Sequence, residues 1–225
     1  MPTATKPRLI FIHIPKSGGT SVLGAFRSAG IDFAFDGDGI WERLAAHPRG
    51  PQVLRRLKTL CPINTLVHFA EKHLPAEILR EFVADDMWQS SFKFAFVRNP
   101  WDLLVSTYFF IQSTKSAFDR MEPDFSNVIE HSDFSAFVRQ YPLIAADQQA
   151  MLSDESGDKI VDFVGRFERL EEDFAYICGR VGVAAELPHL NPSEHAPYRE
   201  YYDDETRKIV ERHFARDIER FGYTF

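Results

Sequence analysis

The chain has 225 residues, of which 44% are apolar and 14% aromatic; that suffices for one well-buried core and argues against disorder. Its 26 basic and 33 acidic residues give a formal charge of -7, so a broad nucleic-acid surface is not expected, while a local basic pocket is permitted. No run approaches the ~18 apolar residues that a membrane helix needs, and MPTATKPRLI lacks the apolar stretch of a secretory signal. The expectation is a cytoplasmic protein without integral membrane association. Cys61 and Cys178 match no metal-ligand spacing and read as reduced structural thiols, with a single bridge left open.

In chain order, RLIFIHI (Arg8 to Ile14) suits a strand covered on both faces. Thr20 or Ser21 then opens a helix carrying Val22, Leu23 and Phe26 and stopping near Gly30. Thr65 to Phe69 is a short strand candidate. Pro75 suits the first turn of a helix reaching about Val83, with Ile78, Leu79, Phe82 and Val83 inward. FKFAFV (Phe92 to Val97) is a strongly apolar strand. In RNPWD, Asn99 is the expected N-cap, Pro100 the first helical residue and Asp102 the partner for a capping-box-like bond, with the helix running to about Thr114. KIVDFVGRF supplies another strand, followed by a helix with Leu170, Phe174, Ile177, Cys178 and Val181 at helical spacing before Gly182. A last helix begins near Asp203 or Asp204, with Val210, Phe214, Ile218 and Phe221 on one stripe.

Strand followed by helix recurs at least four times, which predicts a single α/β domain over 1–225: a P-loop-like, three-layer arrangement with a mostly parallel central sheet flanked by helices. The segments 36–62 and 115–158 break the rhythm and read as insertions suited to binding a substrate.

Two strand exits carry the chemistry. In FIHIPKSGGTS, Pro15 ends a strand, Gly18 and Gly19 permit a tight turn, and Thr20 and Ser21 open a helix. Backbone N–H groups of such a turn converge on one point and suit a phosphate; Lys16 adds a positive charge and the hydroxyls add donors. The triphosphate pattern G-x-x-x-x-G-K-[ST] is absent, because the lysine precedes the glycines. An ordinary exposed turn with an incidental lysine is the alternative. His13, within the strand run, reads as a packed or supporting residue. At the second exit, Arg98 precedes the helix and Ser106 lies eight residues on, about 12 Å of rise on an ideal helix. From the preceding loop, Arg98 can fold back to meet Ser106 and bind a second phosphate. The alternative pairs Arg98 with a neighbouring carboxylate and Ser106 with its own helix carbonyl.

These motifs resemble those of sulfotransferases that use 3′-phosphoadenosine 5′-phosphosulfate (PAPS), in particular the branch of carbohydrate sulfotransferases and their soluble bacterial relatives. HIPKSGGTS resembles the 5′-phosphosulfate loop, which would assign Lys16, Ser17, Gly18, Gly19, Thr20 and Ser21 to the donor. FVRNPWDLLVSTYF resembles the 3′-phosphate motif, which would assign Arg98 and Ser106. VDFVGRFERLEEDF and the closing YYDDETRKIVERHFARDIERFGYTF follow the branch's pattern, whereas 36–62 and 115–135 match it less clearly. The resemblance implies PAPS as donor, 3′-phosphoadenosine 5′-phosphate (PAP) as product, a carbohydrate or small-metabolite acceptor, and no metal. Lys16 is then the cation that meets charge on the leaving oxygen. An acceptor hydroxyl needs a base, and VHFAEKH offers His73, His68 and Glu71, with Lys72 beside them. In LPHLNPSEHAPYREYY, Arg199 is the cation expected over the 3′-phosphate or the acceptor, with Asn191, Ser193 and His195 as neighbours. Phe167 and Glu168 would lie near the adenine, or Glu168 would cap the helix that starts there. A nucleotide-dependent kinase and a non-catalytic nucleotide-binding regulator are the competing functions; the misplaced lysine and the missing metal carboxylate count against the kinase. Acceptor identity and homo-oligomerisation are not legible.

Overall fold

The computed structural model describes residues 8–33, 40–60, 73–113, 133–140, 147–188 and 195–225. Among these residues the centre is a sheet of three parallel strands in the order β1 (Leu9–Ile12), β2 (Phe92–Val97) and β3 (Phe163–Arg166). Leu9 pairs with Phe92, and Phe94 with Phe163. The fourth strand candidate, Thr65 to Phe69, lies outside the described residues.

The strand sequences are mostly apolar because both faces are covered, with Lys93 in β2 and Arg166 at the end of β3 as the charged exceptions. Successive residues point to opposite sides. Ile10, Ile12, Ala95 and Val97 belong to one buried cluster, which includes Leu104, Phe137 and Val210. Leu9, Phe11, Phe94 and Phe96 belong to the other, which includes Val22, Phe26, Phe174 and Ile177. Helices α1 (Gly19–Ser28) and α9 (Leu170–Val181) cover this second face. The first is covered by α4 (Ala76–Phe82), α6 (Pro100–Ser113), α7 (Phe134–Gln140) and α10 (Asp204–His213). The result is a three-layer α/β fold. The other helices among the described residues are α2 (Ile40–Ala46), α3 (Gly50–Leu60), α5 (Asp85–Ser90) and the short α8 (Gln148–Met151), with α11 (Ala215–Phe221) after α10. No helix among the described residues is long and apolar enough to cross a membrane.

Several local expectations shift. The first helix begins at Gly19 rather than at Thr20 or Ser21, because Gly18 takes a left-handed conformation (φ 81°) and its carbonyl accepts from the Val22 N–H at 3.2 Å. Gly30, at φ 69°, follows the end of that helix as expected. Pro75 is the cap of α4 rather than its first residue. Asn99 does cap α6, its Oδ1 accepting from the Trp101 N–H at 3.0 Å. Asp102 does not return a capping-box bond, because the Asn99 N–H already donates to Glu168 Oε1 at 2.6 Å. The expected final helix is two helices, α10 and α11, with Phe214 between them at φ -105° and ψ 24°. Past this break Asp217 is buried, and Ile218 and Phe221 are only partly buried. The start near Asp203 holds: Asp203 and Thr206 form a reciprocal capping box. Cys178 is a buried free thiol, and Cys61 lies outside the described residues.

Candidate active site

Parallel strands bring their carboxyl ends to one edge of the sheet, where ligands of open α/β sheets bind. The chain leaves β1 through His13–Ile14–Pro15–Lys16, β2 through Arg98–Asn99 and β3 through Phe167–Glu168. These three exits meet at Arg98. Its guanidinium, 4% exposed, donates from Nη1 to the Lys16 carbonyl at 2.9 Å and from Nε to Asp102 Oδ2 at 2.7 Å. Phe167 covers its face, the ring centroid 4.0 Å from the guanidinium carbon. The carboxylate partner left open from the sequence is therefore Asp102. No hydrogen bond joins Arg98 to Ser106 among the described residues.

The loop after β1 is held in an unusual shape. Lys16 has φ 60°, the one non-glycine positive φ among the described residues, a conformation sustained only where the surroundings impose it. The Arg98 bond to its carbonyl is one such restraint. Ser17 is buried, its Oγ donating to the Pro15 carbonyl at 3.4 Å. Gly18 is favoured by its left-handed φ of 81°, and Gly19 by what lies against it. A Cβ on Gly18 would come within 2.9 Å of the Leu170 side chain, and one on Gly19 would overlap the His13 imidazole. Thr20 is exposed at the start of α1, while Ser21 is buried. The first-turn N–H groups of this ten-residue helix lie at the end of the loop, where partial positive charge collects.

Lys16 Nζ lies 4.1 Å from the centroid of the Phe110 ring. Burial, and then the Arg98 charge, lower the Lys16 pKa from its usual value. Two cations are thus set close together in partly dry surroundings, a pairing that an anion would relieve. Asp102, Ser106 and Phe110 recur at four-residue spacing along α6. The first contacts Arg98 and the last contacts Lys16, so buried Ser106 occupies the helix face between the two cations.

His73 stands beside the same loop. Its Nδ1 lies 2.7 Å from the His13 carbonyl, and the two imidazole centroids are 4.3 Å apart. A carbonyl only accepts, so Nδ1 carries the hydrogen and the lone pair of the neutral ring is on Nε2. His13, by packing on Gly19, connects His73 to the start of α1. His68, Glu71 and Lys72 lie outside the described residues, as do Asn191 and Ser193. His195 stacks on Phe109 at 5.4 Å, with Nδ1 donating to the Ala196 carbonyl.

Arg199 is exposed, 5.4 Å from the Tyr198 ring and 5.9 Å from that of Phe225. It lines a cavity of about 650 Å³ together with Asn99, Asp102, Arg166, Arg169 and Tyr198. Glu168 lines this cavity too, but its oxygens accept from the Asn99 N–H and from the Tyr223 hydroxyl, so it serves the start of α6. Phe110 and the Gln148–Asp217 pair behind Arg98 escaped the sequence reading. Phe110 follows Ser106 by one helical turn and could have been found by spacing; the other two are joined to Arg98 only by tertiary contacts. Among the described residues, no group of three or more His, Cys, Asp or Glu side chains is arranged to hold a metal ion.

Comparison with known proteins agrees with this architecture. A family model described as "Sulfotransferase family" matches residues 2–224. An uncharacterized protein of Archaeoglobus fulgidus is 29% identical over 140 residues, which span 61% of this chain and 100% of that protein. No solved structure gives a significant match. The family model spans all but the two terminal residues, and the chain belongs to the sulfotransferase family.

Proposed function

We propose that the protein transfers a sulfonate group from PAPS to the hydroxyl of a carbohydrate or small-metabolite acceptor. The observation that carries this reading is the bond from Arg98 to the Lys16 carbonyl, which ties two cation-bearing strand exits into one site. The donor set fits a ligand with anionic groups at both ends: N–H groups and hydroxyls near Lys16, and a guanidinium bonded to Asp102, one helical turn before Ser106. When bound, PAPS supplies an electrophilic sulfonate whose S–O bond to the 5′-phosphate breaks as the acceptor oxygen bonds to sulfur.

Each residue then has a definite task. Lys16 Nζ meets the charge that develops on the leaving oxygen, helped by N–H groups at the start of α1. Gly18 and Gly19 keep that approach open, while Ser17, Thr20 and Ser21 contribute the polar lining of the loop. Arg98 commits two of its five N–H donors within the protein and directs the others, with Ser106, to the 3′-phosphate. Arg199 supplies a further cation from the cavity side. His73 accepts the acceptor's proton on Nε2, with His68 and Glu71 as the other candidate bases.

The test is a donor comparison. The purified protein, given PAPS or ATP with a panel of sugars and small alcohols, should produce PAP and a sulfated acceptor from PAPS alone. Phosphoryl transfer from ATP would instead support a kinase. PAP binding without turnover on any acceptor would indicate a regulator.

A further inference from the structure

We infer that Gln148 and Asp217 are positioning residues for this site: they hold the peptide of Arg98 and, through its side chain, the Lys16 loop. The inference rests on the proposed role of Arg98 for its effect on ligand binding, and on geometry alone for its effect on the loop.

Arg98 stands one residue beyond β2, where the chain turns away from the ladder to begin α6 at Pro100. Its backbone N–H and C=O are buried there and require partners. A single side chain provides both. Gln148 Oε1 accepts from the Arg98 N–H at 2.8 Å, and Gln148 Nε2 donates to the Arg98 carbonyl at 2.8 Å. Gln148, 0% exposed, in this way does the work of a neighbouring strand for the two peptide groups that flank the Arg98 Cα and aim the guanidinium.

Gln148 is itself gripped. Asp217 Oδ2 accepts from its backbone N–H at 3.1 Å and from its Nε2 at 3.2 Å, while Asp217 Oδ1 accepts from the Gln149 N–H at 2.8 Å. The next N–H of α8, that of Ala150, goes to Asp147 Oδ1. The amide of Gln148 therefore has one orientation: its NH2 faces the carboxylate and the carbonyl, and its oxygen faces the Arg98 N–H. The chain of bonds runs from Asp217 through Gln148 and Arg98 to the Lys16 carbonyl. It joins α11, α8, the exit of β2 and the exit of β1. An apolar residue at 148 could fill the same space, but it would leave the Arg98 peptide without partners.

The charged and titratable groups acting around Asp217 are Asp147, ahead of α8, and Tyr223, beyond α11. Burial, and then the Asp147 charge, push the Asp217 carboxyl up to about 7. This makes Asp217→Asn informative, because asparagine removes a costly buried charge and keeps only one accepting oxygen for the two grips.

The experiment compares wild type, Gln148→Met and Asp217→Asn in the full chain. Calorimetry measures PAP against adenosine 5′-phosphate, and amide exchange without ligand follows residues 14–19. Gln148→Met should reduce the preference for PAP by about tenfold, the loss of roughly one well-placed bond. It should also speed exchange in the Lys16 loop. Asp217→Asn should reduce the same preference with no fall in melting temperature at pH 8. Adding Gln148→Met to Arg98→Ala should change the preference no further, since both act through one guanidinium. Unchanged loop exchange in Gln148→Met overturns the inference. So do equal losses of both nucleotides together with a lowered melting point, or full additivity with Arg98→Ala. Wild-type protein with no preference for PAP would instead defeat the cofactor reading, and the exchange measurement would still decide this one.

Discussion

The two halves of the site are built on different plans. The Lys16 loop is a contiguous stretch whose turn, glycines and helix start follow one another from Pro15 to Ser21. The Arg98 half is assembled from distant pieces: Gln148, 50 residues on; Glu168, which receives the Asn99 N–H from 69 residues away; and Thr224, whose carbonyl accepts from Asn99 Nδ2 across 125 residues. The local half takes its turn and helix start from short-range conformational preference, and only the positive φ of Lys16 is held from outside, by Arg98. A guanidinium at the end of a flexible side chain needs tertiary restraints on its backbone, its charge and its flat face. Gln148 and Phe167 supply the first and the last from far along the chain, while Asp102, four residues on, supplies the charge partner locally.

The largest expected effect bears on the local half. Lys16→Ala should lower sulfonyl transfer at saturating PAPS by at least about 10²-fold, the loss of a partner that acts mainly on the transition state. Steady-state rates check this, and near-wild-type turnover would break the assignment. His73→Ala should also cost about 10²-fold in transfer while PAP binding and melting stay near wild type. His68→Ala is the matched comparison, and full activity in a folded His73 variant would move the base to His68 or Glu71.

Arg98→Ala sharpens the contrast between the halves. It should weaken PAP about 10- to 100-fold, as for charged hydrogen bonds, and adenosine 5′-phosphate clearly less. Equal losses for the two ligands would mean that Arg98 serves only to shape the Lys16 loop.

Asp217 gives the distant half a pH signature. Its folded pKa of about 7 lies above the ordinary 3.8, so between these values the folded state binds more protons than the unfolded chain. Its contribution to stability is fully present below about 4 and is lost as pH rises to about 7. Asp217→Asn should abolish that component, so its melting temperature relative to wild type should be several degrees higher at pH 8 than at pH 5. An equal offset at both pH values would contradict the raised pKa.

Gly19→Ala probes the local half by steric means. The added methyl must displace the His13 ring, which is expected to cost on the order of 1–2 kcal/mol, a few degrees of melting temperature, and to disturb His73 beside it. Thermal melting with a transfer assay checks both effects.

Much of this is legible in the residues alone. Continuous apolar strands, alternating with amphipathic segments, announced a sheet covered on both faces, and the two clusters divide the strand residues by alternation. Asn99 and the Asp203 start took the positions expected of them, and the helix before Gly182 ends there, with Gly182 as its C-cap. The failures share a cause. Asp102 had a local capping role available, but Glu168 took the partner and left Asp102 to pair with Arg98. Phe221 and Ile218 promised a continuous stripe, but the break at Phe214 buried Asp217 instead.

The sequence by itself determined the α/β class, the strand exits at which charge would gather, and the loop that carries Lys16. Each depends on periodicity or on turn chemistry, which act over a few residues. Only the tertiary structure decided the strand order, the meeting of Lys16 with Arg98, the tautomer of His73, and the support of Arg98 by Gln148 and Asp217. Those outcomes depend on which buried donor finds which acceptor across the fold, and a buried polar group takes the partner that packing brings to it, however distant in the chain.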